Sequence, residues 1–276
     1  MMSFLRSLLP EGRSSRILTA SVALGIAVGV AVALFEYLTV EVVLHRVEEL
    51  PLAAQAVAPL FGLAITALVL RTLGRGASNS TSDEYIQSYH DRHPSLPPRL
   101  LMPRLIAGVA TIGTGGALGL EGPSMYTGSV FGLSLHKRFH RWLGRDGAKL
   151  LLTAGAAAGV AAIFQAPATG VLFALEAPYR DDLAHRALLP TLLASAASYL
   201  TFISMPFIEV KSFLPSVTAV SSIGADELIG AVAIGVGAGF GGRIYAWFIR
   251  RAKIASKTRP TLLTVRSVVS CSGRWP

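Results

Sequence analysis

The sequence holds one cysteine, Cys271, in 276 residues, so no disulfide can close within the chain and nothing supports a cysteine-built metal site. Charge is scarce as well: only 15% of the residues are Asp, Glu, Lys or Arg. From Leu105 to Leu135 a single side chain, Glu121, is charged. No small-residue cleavage box separates the N-terminal segment, with Arg6, Arg13 and Arg16, from the first long apolar run. That segment is therefore expected to stay as a membrane anchor. The apolar runs offer no nucleophile and base at usable spacing. An embedded enzyme would have only Glu121 and loop histidines to work with, and no enzymatic activity or cofactor is expected.

What is abundant is apolar surface. With 52% hydrophobic residues and a mean hydropathy of +0.54, the chain reads as an all-α polytopic membrane protein. The 25 Lys and Arg outnumber 16 Asp and Glu. They lie between the apolar segments, as cytoplasmic loops of membrane proteins do, which argues against a nucleic-acid partner and for lipid. Apolar runs at Ile17 to Val40, Leu52 to Leu70, Ala187 to Met205 and Leu228 to Ile249 approach or exceed the roughly 20 residues needed to cross a bilayer. An acidic loop with Glu41, Glu48 and Glu49 is expected between the first two. A basic cluster, Arg71, Arg75, Arg92, Arg99 and Arg104, is expected to follow in a cytoplasmic loop, which sets the N-terminus inside a bacterial-type cell membrane. His136 and His140 are expected to share one helix face with Lys137, Arg138 and Arg141, a cationic face toward headgroups rather than a zinc site. Small residues from Ala154 to Gly159 predict close helix packing. GAGFGG, Gly237 to Gly242, matches a dinucleotide fingerprint only formally, because it falls inside an apolar helix.

The most informative stretch is GALGLEGPSMYTGSVFG, Gly116 to Gly132. An acid within an apolar span costs about 3 kcal/mol on insertion scales, so Glu121 is a functional candidate by default. Gly119 and Gly122 allow the backbone to turn, and Pro123 suits the first turn of a helix. Helices over Leu100 to Leu118 and Pro123 to Leu135 are predicted to flank that turn without crossing the bilayer. The second would aim its positive end at an anion, or at Glu121 itself. A structural alternative stands beside this, in which Glu121 only caps the helix and the glycines only pack helices.

GLEGPSMYTGSVFG, followed downstream by GAAAGVAAIFQAPATGVLFALE from Gly155 to Glu176, closely resembles the CLC chloride channels and proton/chloride antiporters. The resemblance runs from about Leu18 to Lys253. It implies the first inverted repeat of a CLC-type fold, with interrupted helices meeting near the midplane, plus one helix of the second repeat. The domain is drawn over 1–253, with 254–276 an unassigned basic tail. The resemblance makes Glu121 the gate and Gly119, Leu120, Glu121, Gly122 and Pro123 part of an anion site for chloride or a related small anion. Leu120 stands where the family usually has a basic residue. Ser80 aligns with the family's anion-binding serine, with Ser78 and Ser82 beside it, although the surrounding glycine and proline are missing. A Ser/Thr-rich cap for a helix starting near Asp83 explains the same stretch.

Glu176 and Ala177 align with the two acids at the internal proton site, the second being the proton acceptor. Alanine cannot hold a proton, so passive anion flow is favoured over exchange, with a proton/chloride antiporter as the alternative. The second-half motifs of the family are missing, which makes a truncated, non-transporting fragment a further reading. A homodimer is implied if a complete pathway forms.

Overall fold

The computed structural model describes residues 13–74, 81–144, 146–179, 184–208 and 225–258. The described residues are largely helical and contain no strand. Cys271 and the tail beyond residue 258 lie outside them, as do Ser78 and Ser80. The chain divides into two compact units, 1–209 and 210–276.

In the first unit, α1 (Arg13–Tyr37) runs through a π-helical stretch, Leu38–Leu44, into α2 (His45–Glu48). The expected acidic loop is therefore helical as far as Glu48. Neither glycine nor proline occurs between Val40 and Pro51, and His45 lies within 4.0 Å of Glu48 and 3.9 Å of Glu49, the spacing that supports a helix face. Ser15–Glu48 spans 34 residues, about 51 Å of helix. Leu24, Val28 and Val32 form a buried stripe at four-residue spacing, while Val22, Ile26 and Leu34 stay exposed.

Next come α3 (Leu52–Thr72), α4 (Thr81–His90) and α5 (Leu101–Gly113). The helix α5 stops five residues earlier than Leu118, because Gly115 takes φ +90°, a conformation that ends a helix and suits glycine. A turn then leads to α6 (Glu121–Arg138). A one-turn helix, α7 (His140–Leu143), links it to α8 (Gly147–Phe164). Gln165 takes the left-handed conformation at φ 52°. Proline then opens α9 (Pro167–Glu176), and α10 (Leu188–Ile203) closes the unit.

At the centre lies α8, with 14 of its 18 residues buried. It packs on α6 so closely that a methyl group at Gly128 would collide with the carbonyl of Gly155, and one at Gly155 with that of Gly128. Small residues let the two backbones touch, which maximises dispersion contacts where lipid supplies no hydrophobic force. The small face expected to serve packing is thus used within the chain, not held free for a dimer. Ser198 Oγ of α10 donates to Ala158 O at 2.8 Å, tying a third helix to α8.

The second unit is described through α11 (Ala225–Thr258). Gly237 to Gly242 are helical throughout, so no strand precedes the glycines and the dinucleotide reading falls away.

Candidate anion site at two converging helix starts

Helix α6 begins on Glu121 itself, two residues before Pro123. The N–H groups of Glu121 and Gly122 have no acceptor within the helix, and Pro123 has none to offer. Ser124 N donates to Leu120 O at 3.1 Å and closes the first turn. Leu120 makes no side-chain cap. The Glu121 carboxylate folds back over the preceding turn: a methyl group at Gly119 would overlap both carboxylate oxygens. A glycine at 119 is what gives the acid this position. Glu121 is half-buried and Gly119 exposed, so the carboxylate sits at the edge of the helix start, not sealed in the core.

The second contributor is α4. An added Cβ at Gly122 would stand 2.7 Å from Thr81 Oγ1, so the first residue of α4 touches the second residue of α6. Two helix starts, each equivalent to about half a positive charge, converge here. Pro123 is also packed against α5, with its ring 3.6 Å from the position a Cβ would take at Gly108. The sequence points to Ser80 for the hydroxyl at this place. Ser80 lies outside the described residues, and Thr81 is the hydroxyl brought to Gly122. The signal was present in the Ser/Thr run, but nothing in it singled out Thr81. The helix is described from Thr81, two residues before Asp83, and Ser82 is exposed.

The first turn of α4 carries two acids, Asp83, which is exposed, and Glu84, and each would oppose an anion held at that end. Glu84 is cancelled by Arg104, which donates Nη1–H to Glu84 Oε2 at 2.8 Å and Nη2–H to Oε1 in a bidentate pair. Arg104 is 5% exposed and its guanidinium lies 4.3 Å from the Tyr126 ring of α6, a cation–π contact away from water. Sequence reading assigned Arg104 to a cytoplasmic basic cluster. The structure corrects this: Arg104 is inside α5 and buried, held there by a carboxylate and an aromatic face. Its apolar neighbours Leu101, Met102, Leu105 and Ile106 were the signal, since a lone arginine in such a run needs a buried partner.

Midway along α4, Tyr85 OH donates to Ala174 O at 2.8 Å and fixes α4 to α9. Glu176 is the last residue of α9 and is exposed, and Ala177 follows half-buried with its N–H on Phe173 O. The sequence left unnoticed what surrounds Ala177. His90 Nε2 pairs with the carbonyl oxygen of Pro178, and Tyr89 OH lies 3.1 Å from Tyr179 OH. The three rings stand edge to face at 5.6 to 5.8 Å, and Lys149 Nζ is 5.3 Å from the Tyr89 ring.

His136 and His140 do not share a continuous helix face, because α6 ends at Arg138. His136 Nε2 instead pairs with Gly144 O at 2.8 Å. Among the described residues, no group of three or more His, Cys, Asp or Glu is arranged to hold a metal.

Five helices among the described residues are long and apolar enough to cross a membrane. The chain is similar to the H(+)/Cl(-) exchange transporter ClcA of Cronobacter sakazakii, 33% identical over 162 residues, which is 55% of this chain and 34% of that protein. Its fold is similar to that of a CLC-type fluoride/proton antiporter, with TM-score 0.72 and 21% identity over 90% of this chain and 61% of the other. It is also similar to a slow cyanobacterial Cl-/H+ antiporter, with TM-score 0.65 and 23% identity over 85% and 58% of the two chains. The chain thus spans about three fifths of these solved structures and a third of the exchange transporter. The family described as voltage gated chloride channel matches residues 61–272. With a match over most of its length and a fold shared with two antiporters, the chain belongs to the voltage gated chloride channel family.

Proposed function

We propose that the chain carries chloride or a related small anion across a membrane, at a site formed where α4 and α6 begin, with Glu121 as the gate. The observation that carries this reading is the Glu121 carboxylate folded over Gly119, beside the contact of Thr81 with Gly122. A negative side chain there occupies the position an anion would take, so neutralising or displacing it frees the helix starts for the permeant ion. Arg104 supports the same reading by cancelling Glu84. A cytoplasmic N-terminus and a bacterial-type cell membrane belong to this proposal, as does a homodimer.

Passive flow is the preferred mode, because Ala177 has no group to hold a proton at the internal end. Exchange for protons is the second reading, and His90 at the Pro178 carbonyl favours it by bringing an imidazole to that end. Chloride efflux from liposomes holding the purified chain, recorded together with proton movement, tests both. Efflux altered at least tenfold by Glu121→Gln is expected. Flux indifferent to the substitution overturns the gate, no flux from folded protein leaves a non-transporting fragment, and proton movement lost in His90→Phe establishes exchange.

A further inference from the structure

The turn between α6 and α8 is built more firmly than a connecting loop requires. His136 Nε2 pairs with Gly144 O at 2.8 Å, Trp142 N donates to Phe139 O at 2.9 Å and Gly144 N to His140 O at 3.0 Å. Leu143 is 2% exposed and pins the turn to the core. The remaining side chains point outward. Arg138, Phe139, His140, Arg141 and Trp142 line a cleft of about 470 Å³. Asp146 is the one acid between Arg138 and Gly147.

Two observations set this cleft at headgroup level. The candidate span Gly147–Phe164 starts five residues after Trp142, and the candidate span Ser15–Glu48 starts beside Arg16. The Arg16 guanidinium stacks on the Trp142 ring at 5.1 Å, so the ends of two spans meet at this indole. An exposed tryptophan at such a boundary rests its ring among the acyl chains and its N–H in the headgroups. Arginines on either side then face the phosphates, each attracting an anionic surface.

We propose that this turn is a binding site for the headgroup of an anionic phospholipid, with Arg138 and Arg141 holding the phosphate and Phe139 and Trp142 resting on the acyl chains. The site stands apart from the transport reading, because none of its residues belongs to the Glu121 region. It is fixed before lipid arrives, so little ordering entropy opposes binding.

The test uses the full chain with Trp247→Phe and Trp275→Phe, leaving Trp142 as the only indole. The variant is reconstituted in phosphatidylcholine vesicles containing either brominated phosphatidylglycerol or brominated phosphatidylcholine at matched mole fraction. Half-maximal quenching of Trp142 is expected at a mole fraction at least about fivefold lower for the anionic lipid. Adding R138Q/R141Q is expected to abolish that preference. If the double variant does not elute as folded protein, R141Q alone, at an exposed position, is expected to lose most of it. Equal quenching by the two lipids, or a preference that survives these substitutions, overturns the site. Inorganic phosphate added to the outer solution separates the sources: no recovery of fluorescence is expected, whereas full recovery identifies a free-anion site and overturns the lipid assignment.

Discussion

Helices α3 and α8 are both long and apolar enough to cross a membrane, yet 6% of the α3 span is buried within the protein and 78% of the α8 span. Apolarity does not separate the two, since both are apolar over most of their length. In water both would be buried, because burial there follows hydrophobicity. In a bilayer the lipid tails solvate leucine as well as a protein core does, so burial follows fit instead. α3 carries Leu60, Phe61, Leu63 and Leu68, all exposed. α8 carries alanines and glycines that let α6 approach to backbone contact.

The sharpest way to break this comparison is to give α8 the side chains of α3. Gly155→Leu would force apart backbones in contact at Gly128, and is expected to cost at least about 3 kcal/mol or prevent folding. Loss of the monodisperse elution peak, or of thermal stability in detergent, reads this directly. A protein as stable as the parent would show that the two helices are not held by close approach.

A smaller but still large effect is expected where α5 brings a charge into the packed side of the molecule. Arg104→Met strands Glu84, and breaking a buried pair costs about 3 to 5 kcal/mol. Arg104→Met with Glu84→Met removes both charges and is expected to recover most of that loss in the same denaturation assay. A double variant no better than the single one would mean that packing against Tyr126, not the uncompensated carboxylate, sets the cost.

The smallest effect belongs to α3. Leu63→Ala removes methyl groups from a side chain that is 51% exposed, and a change within about 0.5 kcal/mol is expected. A loss several times larger in thermal unfolding would reveal a partner covering α3 and would end the contrast with α8.

The same contrast explains what could be read from the residues alone. Membrane class, helical content and the turn before Glu121 follow from local signals: long apolar runs, glycines flanking an acid, and proline in the first helical turn. Ala154 to Gly159 announced close packing by size alone. Arg104 was misassigned because its number in the chain adjoins a basic loop, while its partner Glu84 lies 20 residues away. The contacts of Thr81 and His90 were not legible for a related reason. Each gains its meaning from a residue distant in sequence, Gly122 for the first and Pro178 for the second. The pairing of His136 and His140 failed because the helix breaks between them, at Phe139, where the chain has no glycine or proline to signal the end.

The sequence by itself determined the membrane class of the protein and singled out Glu121 as the one charged residue between Leu105 and Leu135. Hydropathy over some 20 residues and an ionisable group inside it are properties of a contiguous stretch, and the bilayer acts on them directly. Only the tertiary structure decided which helix stands at the centre, which hydroxyl meets Gly122, and which charge cancels Glu84. Those outcomes depend on how closely separate helices approach, and that distance is set by side-chain fit between elements far apart in the chain.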